Sequence, residues 1–141
     1  MQPKYALSCL VFALLLAQSP EASAQKSESE TRVSVAVFCS ADDGLTLKLC
    51  DAVERSLRRS RGFSLSGNRA LSTLRLRIPT NVHWESANGH IQVQYKVEFW
   101  SAEDVKKLGE VAGSCREIKL SDCAKRILLK AEEAAGRLGT N

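Results

Sequence analysis

ALSTLRLRIPTNVHWESANGHIQVQYKVEF, residues 70–99, decides the fold. In its second arm Ile91, Val93, Tyr95, Val97 and Phe99 alternate with Gln92, Gln94, Lys96 and Glu98. A period of two marks a strand with one buried and one wet face. In the first arm Leu74, Leu76 and Ile78 alternate with Thr73, Arg75 and Arg77. Asn88-Gly89 between the arms is the residue pair of a type I′ two-residue hairpin. That turn sets Ala87 opposite His90, Trp84 opposite Val93, Val82 opposite Tyr95 and Ile78 opposite Phe99. The last three pairs are apolar and share one side, so pattern and turn agree on one register. Trp84 is therefore expected in the core and Trp100 on the polar side. Pro79 cannot donate a ladder hydrogen bond, so the first arm must bend, bulge or run at an edge there.

Upstream, VSVAVFC at Val33–Cys39 reads as a strand. It is apolar on both faces, which is expected of a central position. Thr46, Leu49, Cys50, Val53 and Leu57 then recur at helical steps over Leu45–Arg59. Asp42-Asp43-Gly44 opens that helix, and Gly62 is the expected C-cap. Arg55, Arg58, Arg59 and Arg61 read as a solvated helix end suited to the helix dipole. Phe63–Ser66 is a short strand. Downstream, Ser101–Lys107 fits either a helical turn or a polar hairpin loop, and Leu108–Ser114 is a last strand weakened by Gly109 and Gly113. Ser121 is the expected cap of a second helix, with Ala124, Ile127, Leu128, Ala131, Ala135 and Leu138 as its stripe and Gly139 as its end.

This element order, β-α-β-β-β-α, predicts the α+β class. It is read as a two-layer sandwich: a mainly antiparallel sheet of 4–5 strands with both helices on one face. The bare face would carry Arg75, Arg77, Gln92, Gln94, Lys96 and Glu98. VAVF at Val35–Phe38, a helix, RGF at Arg61–Phe63, a hairpin and a closing helix together resemble the amino-terminal domain of TolB-like periplasmic proteins. They also resemble related small domains of envelope accessory proteins. The likeness spans about Val33–Leu138, lacks the propeller, and adds cysteines that pattern does not have. It implies a non-catalytic envelope domain that engages protein partners.

The start of the chain carries an address. Lys4, the apolar run Leu7–Ala17, Pro20 and Ala22-Ser23-Ala24 form a secretory signal with an A-x-A cleavage site. The run is shorter than the roughly 20 residues that span a bilayer. Residues 1–24 are thus read as a signal peptide, 25–32 as a polar leader, 33–138 as one domain and 139–141 as a tail. No membrane span is expected after cleavage, and the product is expected to be periplasmic or secreted. Cys9 leaves with the signal. Cys39, Cys50, Cys115 and Cys123 remain, an even number that suits two disulfides in an exported domain. Four cysteines allow three pairings. Cys115–Cys123, flanking a short polar loop, with Cys39–Cys50 is the favoured one.

The net charge of +4 is far short of a nucleic-acid-binding arm, so no nucleic-acid partner is expected. It permits weak contact with an anionic membrane surface. Hydrolase, zincin, P-loop and dinucleotide motifs are absent, as is a C-x-x-C pair. No cofactor or metal is expected, and no enzymatic activity. The expected role is a binding or accessory one, with an envelope protein as partner and Trp100, Arg75, Arg77 and Lys96 as the contact residues. The alternative is a metal-dependent or hydrolytic site on the hairpin, with Glu85 between His83 and His90, the only histidines. Two solvated histidines near an exposed turn is the plainer reading.

Overall fold

A computed structural model describes residues 32–102 and 106–139. The expected signal peptide, the leader up to residue 31, residues 103–105 and the last two residues lie outside the described residues. The elements are β1 (Val33–Cys39), α1 (Gly44–Arg59), β2 (Phe63–Leu65), β3 (Leu74–Ile78), β4 (His83–Ala87), β5 (His90–Ser101), β6 (Lys107–Arg116) and α2 (Leu120–Gly136). One 3-10 turn, Arg69–Leu71, precedes β3, and another, Glu117–Lys119, precedes α2.

The class is α+β, with one open six-stranded sheet and two helices. β1 pairs in parallel with both β2 and β3, while β5 is antiparallel to β3, β4 and β6. β3 and β4 lie end to end along one edge of β5, against residues 98–101 and 90–94 respectively. β6 fills the other edge. The long β5 is therefore the spine of the sheet.

The hairpin turn forms as its residues dictate. Asn88 and Gly89 both have positive φ, 52° and 73°, the type I′ signature. Ala87 faces His90 and Trp84 faces Val93, as expected. Beyond Pro79 the expected register fails: Leu76, not Ile78, stands opposite Phe99. The chain spends two residues looping out between β3 and β4, where proline cannot join a ladder. A slip of two keeps every side chain on its own face. Leu74, Leu76 and Ile78 accordingly remain buried, as do Tyr95 and Val97.

Trp84 is a second correction. It points to the same side as Val93, yet 56% of its surface is exposed, and all of β4 is exposed. α1 packs over β1 and β2, and α2 over β5 and β6, so β4 overhangs the layered core. The helix ends differ too. α1 has Asp43 as N-cap and stops at Ser60 rather than at Gly62. α2 starts at Leu120 with no side-chain cap, so Ser121 sits inside its first turn, and it ends at Gly136.

The core between sheet and helices contains Val35, Leu49, Leu57, Leu76, Val97, Phe99 and Ile127. Disulfides Cys39–Cys50 and Cys115–Cys123 stitch β1 to α1 and β6 to α2, the favoured pairing. Gly113 has a packing role in β6: opposite Tyr95, a Cβ there would lie 2.8 Å from the Tyr95 hydroxyl oxygen.

Candidate functional site

The face of the sheet turned away from the helices is built by alternation. β1 contributes Ala36 and Phe38, β3 Arg75 and Arg77, and β5 Lys96, Glu98 and Trp100. Leaving β2, the chain returns to β3 by crossing β1 on this side. Its 3-10 turn sets the Arg69 guanidinium 5.3 Å from the centre of the Phe38 ring. Ala36 is thereby buried and Phe38 half-buried, which accounts for a strand apolar on both faces.

Two cation–aromatic stacks follow from the register. The Arg75 guanidinium lies 5.7 Å from the Phe38 ring centre and that of Arg77 5.5 Å from the Trp100 ring. Arg75 pairs across the ladder with Trp100, and Arg77 with Glu98. Guanidinium over an aromatic face is attractive because the ring carries negative charge above its plane. Trp100 Nε1 donates to Glu98 Oε2 at 3.2 Å. Lys107 on β6 then bridges Glu98 at 2.9 Å and Glu110 at 2.6 Å, and Lys96 lies 3.3 Å from Glu110 and 3.7 Å from Glu98. The Lys107 hydrogen bond holds the Glu98 carboxyl below the usual carboxylate range. The same lysine does so for Glu110, and its bonds to Glu110 and Glu98 raise its own pKa. Every one of these shifts moves away from neutrality. Glu98, Glu110 and Lys107 are therefore held in their charged forms near pH 7.

The four residues expected as contacts, Trp100, Arg75, Arg77 and Lys96, all lie on this one face. Glu98 was expected on this face with them, whereas sequence reasoning missed Phe38, Arg69, Lys107 and Glu110 as their neighbours. The outward position of Phe38 in the alternation was the available signal for one of them. The position of Arg69 had none, because it depends on how the chain crosses β1. The hairpin residues of the alternative reading are exposed in the expected register, with His83 opposite Gln94 and Glu85 opposite Gln92. Among the described residues no three His, Cys, Asp or Glu side chains are grouped to hold a metal ion. No helix among them is long and apolar enough to cross a membrane.

No protein-family model matches the chain, and no curated protein matches it in sequence. Solved structures with partial likeness include lipoprotein GNA1162 from Neisseria meningitidis, 16% identical over 60% of this chain and 80% of that one, TM-score 0.43. A minor lipoprotein from Acinetobacter baumannii is 16% identical over 74% and 92%, with a TM-score of 0.46. The hypothetical protein CT253 from Chlamydia trachomatis is 10% identical over 60% and 72%, at 0.40. This chain is similar to these proteins in part of its structure.

Proposed function

We propose that this chain is an extracytoplasmic, non-enzymatic binding or accessory domain of the cell envelope. It docks a protein partner on the helix-free face of its sheet. The observation that carries this reading is the Arg77–Trp100 stack beside Arg75 and Lys96, on a face that no helix of the described residues covers. Tryptophan and arginine are the side chains that most often dominate protein interfaces. Pre-stacked arginines lose less conformational freedom on binding than free ones do. Two disulfides support an oxidising compartment. The apolar run and A-x-A site near the start of the chain support export. The likeness to TolB-like amino-terminal domains belongs with this reading.

The test is chemical crosslinking in native envelopes followed by mass spectrometry of captured chains. The expected result is a discrete partner whose crosslinks map to β3 and β5. Its capture should fall by about tenfold or more with Trp100→Ala and Arg77→Glu together, as loss of a hot-spot pair predicts. Unchanged capture by that double variant would sink the reading.

A further inference from the structure

β4 ends the hydrogen-bonded path of the sheet: it pairs with β5, and with no other strand among the described residues. All five of its residues are exposed. A two-residue hairpin closes with hydrogen bonds between its flanking residues, here Ala87 and His90, and bonded and non-bonded pairs then alternate. Glu85 and His83 consequently spend their backbone groups on β5, while Trp84 and Ser86 turn theirs outward. Exposed edges of this kind are usually blunted by lysine, proline or a covering loop. The strand His83-Trp84-Glu85-Ser86-Ala87 contains neither lysine nor proline. Instead, its most apolar residue stands at an outward-bonding position.

Read backwards, the core of this strand complements itself. In an antiparallel pairing of two copies centred on Trp84, each Trp84 faces the other and exchanges both backbone hydrogen bonds. His83 of one copy then faces Glu85 of the second copy, and the reverse, on the helix-free side. The neighbouring register, centred on Glu85, would set two carboxylates face to face, a cross-strand arrangement that is unfavourable. The Val82 N–H is already bonded to Thr46 Oγ1 at 2.9 Å, which limits the ladder at that end and keeps it short. We infer that β4 is a self-association edge, joining two copies of this chain through Trp84–Trp84 and His83–Glu85 cross-strand pairs. The contact is small, so it belongs with transient interfaces below about 1,200 Å².

Sedimentation equilibrium of the purified chain tests this, with circular dichroism as a check that each variant is folded. The average mass of the natural chain is expected to rise toward twice the monomer value as concentration climbs through roughly the micromolar-to-millimolar range typical of weak complexes. His83→Glu places two acids opposite each other, and Glu85→Lys two bases, so each variant alone is expected to stay monomeric. In a mixture of the two, the acid introduced at position 83 of one chain faces the base introduced at position 85 of the other. The remaining pair keeps the natural Glu85 against the natural His83, so the mixture is expected to associate. A natural chain that stays monomeric throughout overturns the proposal. Single variants that still pair, or a mixture that does not, overturn the register that defines it.

Discussion

Thr46 is polar and fully buried, and its hydroxyl joins two parts of the chain. It donates to the Asp43 carboxylate and accepts from the Val82 N–H. The Asp43 carboxylate also accepts from the Leu45 and Thr46 amides at 2.9 and 2.8 Å. One hydroxyl thus completes the N-cap of α1 and anchors the segment leading into β4. Thr46→Val would orphan a buried N–H, at a cost of about 1–3 kcal/mol in urea unfolding. The Thr46 hydrogen bond is also the largest cause of the lowered Asp43 pKa. A carboxylate with a depressed folded pKa contributes stability above its unfolded value, near 3.8, and loses it as pH falls through the folded value. The gap between natural chain and Thr46→Val should therefore be widest above about pH 4 and narrow in acid. Gly113 makes a second prediction at this scale. Gly113→Ala would press a Cβ within 3.1 Å of the Tyr95 ring carbon that bears the hydroxyl. Overpacking of this kind costs about 1–3 kcal/mol, read as a lower urea midpoint. Burial pushes the Tyr95 hydroxyl pKa up, and that hydroxyl has no hydrogen-bond partner among the described residues.

Each disulfide fastens the end of a strand to the helix that follows it. Cys39–Cys50 spans 11 residues and Cys115–Cys123 spans 8. Loops this short restrict the unfolded chain less than long ones do. Replacing both Cys115 and Cys123 with serine should cost about 2–4 kcal/mol in equilibrium unfolding. The start of α2 should also lose hydrogen-exchange protection before the rest of the core, because that helix has no side-chain N-cap to fall back on. The β5–β6 charge cluster behaves differently. Its ion pairs are solvent-facing, with Lys107 35% and Glu110 50% exposed in their side chains. Exposed pairs of this kind add little to stability, because water and salt screen them. Lys107→Met should therefore leave the urea midpoint nearly unchanged, while altering the charge that an incoming partner meets. β6 itself shows α2 arginines reaching an edge strand: Arg126 donates to the Ser114 carbonyl at 2.8 Å, and Arg137 to that of Leu108. This occupies two carbonyls of an edge otherwise open to further pairing. β4 has no comparable cover among the described residues.

Across the whole molecule the two faces of the sheet divide the labour. One face carries the core and both helices, and the other presents stacked arginines and aromatic rings. Partner capture through the bare face should weaken as salt rises, since its cations act at a solvent-exposed surface where screening is effective. A titration from low to high ionic strength would show this. Much of the layout could be read from the chain alone. Period-two runs at 74–78 and 91–99, period-3.6 runs in both helices and Asn88-Gly89 are local patterns, and local sterics and burial settle them without help from distant residues. The face on which Trp100, Arg75, Arg77 and Lys96 lie follows from the same alternation. Other features are set by contacts far apart in sequence. Parallel pairing of β1 with both β2 and β3 depends on where two crossings deliver the chain. In the segment where the register slips by two, Val82 is held by Thr46, 36 positions away. Trp84 shares a side with Val93, and alternation said as much. Its exposure was decided by the reach of two helices, a length no local pattern records.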